Sequence, residues 1–176
     1  MKLIMENWNK FLIEGKFDPT KFPYPKSATQ QQADAIVTGG LKDGDPDDDK
    51  VSVKKKSDLS VGTLKPSQKE IRLGQALGMA ISQLVSGKIG GDLGAIISGD
   101  NFIMDGHHRW AATIFAGGAE GTVGGVVINV PGEQLVRVLA AVGDQFHPGK
   151  RKKPSPDNIL DANPEEIDPF IDKYTS

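Results

Sequence analysis

Apolar positions at helical spacing predict a helix after Pro66. The stripe is formed by Ile71, Leu77, Ile81, Leu84 and Val85. A period of about 3.6 residues is typical of a helix with one apolar face. Ser67 and Glu70 have the spacing of a capping box, in which each side chain binds a free backbone amide of the first turn. We therefore expect the helix to begin at Ser67 and to end at Gly87, because glycine readily takes the left-handed conformation at a helix C-terminus.

Shorter apolar runs predict strands and further helices up to residue 148. The run "VSVKKKSDLSVGTL" predicts one or two short strands, and "GAIIS" and "NFIMD" predict a hairpin around Gly99, Asp100 and Asn101. Helices are expected over "HHRWAATIFAGG" and "PGEQLVRVLAAVG", and a buried strand over "TVGGVVINV". This alternation predicts an α/β (α+β) domain over residues 51–148, with a short mixed sheet flanked by helices.

The segments on either side of this domain have different patterns. Residues 1–14 place Ile4, Trp8, Phe11 and Leu12 on one face, which predicts a leader-like amphipathic helix. Residues 15–50 are polar and rich in glycine and proline, which predicts a flexible linker. Residues 149–176 form a C-terminal tail, in which Pro169 interrupts a helix-like pattern.

Composition and charge narrow the functions open to the chain. Its 176 residues carry a net charge of −2, which gives no global attraction to nucleic acid. It contains no cysteine, so disulfides, thiol catalysis and cysteine-ligated zinc are excluded. No apolar run approaches the roughly 20 residues that a membrane span needs, and we expect no membrane partner.

The stretch "IMDGHHRWAAT" carries the clearest chemistry. A strand ends at Asp105, Gly106 allows a tight turn, and a helix begins at about His107. The free amides and the positive dipole end of such a helix favour an anion. His107, His108 and Arg109 add side-chain donors, and an arginine can bind a phosphate through two parallel hydrogen bonds. The stretch therefore predicts a phosphate-binding turn.

Two other interpretations of this stretch stay open. One is a purely structural helix start, in which the Asp105 carboxylate caps the first turn. The other is a metal site. Adjacent histidines on a helix point about 100° apart and lack the i, i+4 spacing of zinc helices. The one further histidine is His147. Asp105 is also placed to accept a proton or to hold a magnesium ion.

The segments "LKPSQKEI", "GAIISGDNFIMDGHHRWAATIFAG" and "VGGVVINV" resemble the ParB/sulfiredoxin superfamily, over about residues 51–130. The resemblance implies a small α/β domain whose glycine–(x)–His–Arg turn binds nucleotide phosphates. Members include CTP-binding partition proteins, ATP-using sulfiredoxins and free-serine kinases with an Asp-Gly-x-His-Arg turn. ATP or CTP is therefore the expected ligand, with Mg²⁺ as its companion ion.

The resemblance also assigns roles to individual residues. The expected nucleotide-binding residues are Gly106, His107, His108, Arg109, Lys65, Ser67 and Gln68. Asp105 and His108 are the expected catalytic residues, and Asp105 is the expected Mg²⁺ ligand. The nucleophilic cysteine of sulfiredoxins is replaced here by His107, which excludes sulfinic-acid reduction. The arginine-rich box of the partition proteins is absent, and so is a clear helix-turn-helix motif.

These features predict a phage-type, nucleotide-dependent phosphotransferase or nucleotide hydrolase, with an unknown small molecule or protein as acceptor. One alternative is a non-catalytic module that is switched by nucleotide or associated with DNA. Its DNA contact would use the basic run Lys150, Arg151, Lys152 and Lys153. Another alternative is a structural internal virion protein, and a metal-dependent nuclease ranks last.

The stretch "FLIEG" resembles the Leu-x-Glu sites at which prohead proteases of large tailed phages cut behind a short leader. Cleavage between Glu14 and Gly15 would make Gly15 the first residue of the mature protein. This resemblance implies a cytoplasmic location in the host cell, with packaging in a phage virion as a further expectation.

Overall fold

The computed structural model describes residues 4, 6–8, 10–11, 52–68 and 70–146, with the backbone alone for 141–146. The helices and strands within residues 52–146 are, in chain order, β1 (Val53–Ser60), β2 (Lys65–Pro66), α1 (Leu73–Ser86), β3 (Gly91–Ser98), β4 (Phe102–Asp105), α2 (His107–Gly117), β5 (Thr122–Ile128) and α3 (Gly132–Phe146). A short 3-10 turn, Val61–Thr63, joins β1 to β2. Near the N-terminus, the described positions between residues 4 and 11 are helical and are called here the N-terminal segment.

The strands form one five-stranded sheet in the order β1-β5-β3-β4-β2. The pairs β1–β5 and β3–β4 are antiparallel, whereas β3–β5 and β2–β4 are parallel. The mixed sheet with packed helices confirms the predicted α/β class. Strand β4 lies between β3 and β2, but β2 pairs with it only at Phe102 and Ile103, whereas its C-terminal residue Asp105 pairs with Ile96 of β3.

The core lies where α1 and α2 pack together beside the sheet. Helix α1 packs along α2, and α3 packs against β4 and β3. The largest fully buried side chains are Trp8, Trp110, Phe115, Ile71, Leu73, Leu77, Ile97, Ile103, Ile114 and His107. Helix α2 is buried at every position from Trp110 to Ala116, which explains its run of small and apolar residues. Burial of each large apolar side chain stabilises the fold by roughly 1.5–3 kcal/mol.

The predicted hairpin is confirmed, with β3 and β4 joined through Gly99, Asp100 and Asn101. Asn101 takes a positive φ of 70°, a conformation that asparagine tolerates better than most residues. The Asp100 carboxylate accepts hydrogen bonds from the Ser98 hydroxyl (2.6 Å) and the Gly132 amide (2.7 Å). The hairpin turn is thereby tied to the start of α3.

The predicted capping box at Ser67 and Glu70 is wrong. Helix α1 begins at Leu73. The N-cap residue before it, Arg72, has an extended backbone and makes no side-chain capping hydrogen bond. The Ser67 hydroxyl donates instead to the backbone carbonyl of Ile103, at 2.5 Å. The reason is tertiary: β2 pairs with β4, and the backbone N–H of Ser67 continues this contact by donating to the carbonyl of Ile103 at 3.3 Å.

The apolar stripe of α1 is only partly directed inward. Its buried residues are Leu73, Ala76, Leu77 and Ala80, whereas Leu84 and Val85 are 39% and 84% exposed. The last turn of α1 therefore carries apolar side chains on the surface, although Gly87 ends the helix in the left-handed conformation as predicted.

Several sequence predictions fall outside the described residues. These are the linker over 15–50, the tail over 149–176 and the face position Leu12. Among the helices that the structure describes, none is long and apolar enough to cross a membrane.

Candidate functional site

The predicted strand–glycine–helix turn is present at the end of β4. Strand β4 ends at Asp105, and α2 begins at His107. Between them, Gly106 takes a φ of 99°, which strongly favours glycine. A Cβ atom at Gly106 would lie 3.2 Å from the Cβ of Ala95 on β3, so a side chain at this position would require a small shift of the sheet.

His107 is a buried, neutral side chain rather than an exposed cation. It is 2% exposed, and its Nε2 atom accepts a hydrogen bond from the backbone N–H of Ser67 at 3.1 Å. Burial lowers the pKa of His107 to about 3, and the neighbouring His108 contributes to this shift. Because the Nε2 lone pair is already used by Ser67, this nitrogen of His107 offers no donor to a phosphate.

Ser67 lies behind the turn, between β4 and α2. Its side chain is 5% exposed, and its hydroxyl lies 3.4 Å from His107 Nε2 while donating to the carbonyl of Ile103. A serine that donates to a backbone carbonyl is not poised as a nucleophile. Its contacts instead fix the start of the connection between β2 and α1.

His108 fixes the other end of the same connection. Its Nε2 atom accepts a hydrogen bond from the backbone N–H of Arg72 at 3.1 Å. The two adjacent histidines of α2 thus bind two amides, those of Ser67 and Arg72, which frame the segment entering α1. Sequence reasoning missed this role, since nothing local to "GHHR" indicates which backbone amides will lie opposite.

Arg109 and Asp105 lie together on the outer side of the turn. The Arg109 guanidinium donates through Nη1 to the carbonyl of Leu93, and its Nη2 atom lies 3.8 Å from Asp105 Oδ2. Leu93 belongs to an irregular part of β3, where the pairing with β5 shifts between Asp92 and Ala95. Asp105 Oδ1 accepts the N–H of Gly106 at 2.8 Å, and this carboxylate side chain is 67% exposed.

An open cleft of about 390 Å³ lies at the turn. It is lined by Gln68, Gln75, Met79, Asp105, Gly106, His107, His108 and Arg109. This volume is in the range of small-molecule sites. The exposed Gln75 and the partly buried Met79, both on α1, were not predicted as site residues, because their contribution depends on how α1 packs beside α2.

The other predicted nucleotide-binding residues differ in position. Gln68 is exposed and lines the cleft. Ser67 is buried and is not part of the lining, and neither is Lys65. The Lys65 ammonium lies 5.0 Å from the ring centre of Phe102, at the far end of β4 from Asp105. A nucleotide contact by Lys65 stays a prediction.

Among the described residues, Asp105 is the one carboxylate that lines the cleft. Within the described part of the chain, no group of three or more histidine, aspartate or glutamate side chains is arranged to hold a metal ion. A lone exposed carboxylate fits a Mg²⁺ ion that is held mainly by phosphate oxygens, which is how proteins commonly bind this ion. The predicted cleavage residues Glu14 and Gly15 and the basic run over 150–153 lie outside the described residues.

No protein-family model, curated protein or solved structure matches this chain.

Proposed function

We propose that the cleft binds the phosphate groups of a nucleotide, ATP or CTP, with Mg²⁺. The observation that carries this proposal is the opening of the cleft at the first turn of α2, with Arg109 beside it. The resemblance to the ParB/sulfiredoxin superfamily, which rests on the residues of this same turn, supports a nucleotide as the source of the phosphate.

The first turn of α2 supplies the binding groups. The N–H groups of His107, His108 and Arg109 belong to helix positions for which the helix itself provides no acceptor. They lie at the positive end of the helix dipole, which favours an anion.

Arg109 provides the charged contact. Its Nη2 atom lies 3.8 Å from Asp105, which is too far for a hydrogen bond and typical of a weak, exposed ion pair. A phosphate oxygen competes well for this group, since hydrogen bonds between guanidinium and phosphate are strong. The bond from Nη1 to Leu93 keeps the guanidinium in position.

The backbone holds His108 in place in this proposal. While its Nε2 atom accepts the Arg72 amide, this nitrogen does not act as a base, so the predicted catalytic role of His108 is not part of the proposal. Proton transfer is thus left to Asp105, whose Oδ2 atom does not share the hydrogen bond from Gly106.

The proposed reaction transfers the terminal phosphoryl group of the nucleotide to an acceptor hydroxyl or to water: a bond forms between the acceptor oxygen and the γ-phosphorus, the bond to the bridging oxygen breaks, and the nucleoside diphosphate leaves. Mg²⁺ supplies neutralisation of the phosphate charge when it is bound. Asp105 Oδ2 orients the acceptor and takes its proton, and the α2 amides and Arg109 stabilise the charge on the transferred group.

A non-catalytic nucleotide-binding module is the second candidate. It is favoured by the bonding of the turn, because both histidine Nε2 atoms and Asp105 Oδ1 already accept backbone N–H groups. Under either candidate, we propose a location in the host cytoplasm or inside a phage capsid, which the resemblance of "FLIEG" to a prohead-protease site supports.

Nucleotide binding is tested by calorimetry with ATP, CTP and GTP, each with and without Mg²⁺. We expect saturable binding of ATP or CTP by the natural chain. The Arg109→Lys variant should bind at least tenfold more weakly, because a lysine keeps the charge but loses the paired donors. Arg137→Lys is the matched control, since Arg137 pairs with Glu133 on the exposed face of α3. Equal affinities of the natural chain and Arg109→Lys would exclude this site.

Measuring nucleotide turnover distinguishes an enzyme from a non-catalytic nucleotide-binding module. Radiolabelled ATP or CTP is incubated with the natural chain and with Asp105→Asn, at nucleotide concentrations that saturate both. An enzyme should release or transfer labelled phosphate at a rate that falls at least a hundredfold in Asp105→Asn. Binding with equal, background-level turnover in both proteins would support the non-catalytic module.

A further inference from the structure

The N-terminal segment packs into the core through aromatic side chains. Trp8 is fully buried, and Ile4 is 3% exposed. The Trp8 ring centre lies 5.1 Å from that of Phe115 and 6.2 Å from that of Trp110, both on α2. Phe11 stacks on Trp8 at 5.4 Å and meets the edge of Trp110 at the same distance. This α2 face, with Gly118 at its end, is called here the aromatic groove.

A polar contact fixes the position of the segment along the groove. The Asn7 side-chain amide donates to the backbone carbonyl of Phe115 at 3.1 Å. Phe115 lies in the last turn of α2, where carbonyls lack partners within the helix. A Cβ atom at Gly118 would lie 3.2 Å from Asn7 Oδ1, so the absence of a side chain there leaves room for this contact. Asn7 thus caps the C-terminal end of α2.

The indole N–H groups of Trp110, in the groove, and of Trp8, in the N-terminal segment, differ in their hydrogen bonding. The Trp110 indole N–H donates to the carbonyl of Val61 at 3.0 Å, so the groove satisfies its own polar group without the N-terminal segment. The Trp8 indole nitrogen is buried and has no hydrogen-bond partner among the described residues. A buried donor without an acceptor weakens the attachment of the side chain that carries it. The segment therefore buries large apolar side chains but leaves one buried donor, the Trp8 indole N–H, without an acceptor among the described residues.

The connection to the domain also permits exchange. Residues 12–51 separate the N-terminal segment from β1, and an extended chain spans up to about 3.5 Å per residue. That length is ample for the segment of one copy to reach the groove of another. The groove shares no residue with the lining of the phosphate cleft, so the two surfaces can be tested independently.

We propose that the aromatic groove is a docking site for an amphipathic helix, and that its occupant is the N-terminal segment, held reversibly by its own chain and exchangeable with that of a second copy. Recognition uses the spacing of Ile4, Asn7, Trp8 and Phe11: three apolar side chains fill the groove, and the amide caps α2. This is the helix-in-groove mode of binding, with anchors at i, i+4 and i+7.

The test uses the full chain with a protease recognition sequence inserted between Glu14 and Gly15. After cutting, size-exclusion chromatography and mass spectrometry determine whether the peptide of residues 1–14 stays with the rest of the protein. We expect it to co-elute, and to be replaced within hours by an excess of the same synthetic peptide carrying a fluorophore. Loss of the peptide with an unchanged thermal midpoint would show that the groove has no affinity for it. Unfolding on cutting, or retention without exchange, would show a permanent core element; each of these results overturns the proposal.

Variant peptides test the named contacts in the same exchange assay. A Trp8→Ala peptide should compete at least tenfold more weakly than the natural peptide, because it leaves the space between Trp110 and Phe115 unfilled. A Trp8→Phe peptide should compete within about threefold of the natural one, because it gives up a donor that has no acceptor. Equal competition by the Trp8→Ala peptide would overturn the proposed mode of recognition.

Discussion

His107 and His108 are neighbours in the chain with different surroundings. His107 is buried against Ser67, while His108 is partly exposed and bonded to the amide of Arg72. The residue types of the turn predicted cationic donors at both positions. The fold instead uses both Nε2 atoms as acceptors, because the connection between β2 and α1 passes directly over the start of α2. Arg109 lies beside the cleft, where its residue type predicts a charged contact, and its binding of a phosphate stays a prediction.

The free energy of unfolding should depend on pH through His107. Its pKa is lowered from an ordinary value of 6.5 to about 3 on folding, so within this window the unfolded chain binds a proton that the folded chain excludes. The free energy of unfolding therefore falls as the pH drops from about 6.5 towards 3, at up to about 1.4 kcal/mol per pH unit. Urea unfolding of the natural chain and of His107→Gln across this range measures the effect. Glutamine accepts a hydrogen bond but does not titrate, so its profile should be flatter.

His108→Gln is the matched control, and it should keep the slope of the natural chain because His107 is still present. If the natural chain and His107→Gln lose the same free energy of unfolding between pH 6.5 and 3, His107 is not the group responsible.

At the scale of elements, the local sequence predicted the turns more accurately than it predicted where helices begin. The hairpin around Asp100 and the turn at Gly106 were predicted, since both depend on residues that favour unusual backbone angles. The start of α1 was not predicted, because the Ser67 hydroxyl donates to the distant carbonyl of Ile103 and does not cap a helix. The two-residue strand β2 was also not predictable from the sequence, since it is defined only by its pairing with β4.

Gly106→Ala should destabilise the turn that carries the site. Gly106 has a φ of 99°, and an added Cβ would lie 3.2 Å from Ala95 Cβ, so we expect a loss of roughly 1–3 kcal/mol in the free energy of unfolding. Gly78→Ala is the matched control: Gly78 lies within α1 with open space around its missing side chain, and alanine should stabilise the helix by roughly 0.5–1 kcal/mol. Chemical denaturation measures both values, and equal changes in the two variants would contradict the assigned role of Gly106.

At the scale of the whole molecule, the composition of the fold was more predictable than its arrangement. Alternating apolar runs predicted a mixed sheet with helices, and the structure contains one. The strand order β1-β5-β3-β4-β2 depends on pairings between distant segments, which no local pattern encodes. The cleft combines the end of β4, the start of α2 and one side of α1, so Gln75 and Met79 line it only through the packing of α1 on α2.

The packing of the N-terminal segment also belongs to this scale. Its amphipathic pattern predicted a helix, and the burial of Ile4 and Trp8 shows that this helix covers the domain itself. One end of α2 therefore faces the proposed phosphate site, while Asn7 of the N-terminal segment caps the other end.

The most direct measurement of the central claim is the NMR response of the backbone amides to nucleotide. The uniformly ¹⁵N-labelled chain is titrated with ATP and with CTP in the presence of Mg²⁺. Phosphate binding at the first turn of α2 should shift the amide signals of Gly106, His107, His108 and Arg109 first and furthest, while those of Gly124 and Gly125 on β5 stay in place. Unchanged signals at residues 106–109 up to millimolar nucleotide, or shifts confined to another surface, would contradict the proposed site.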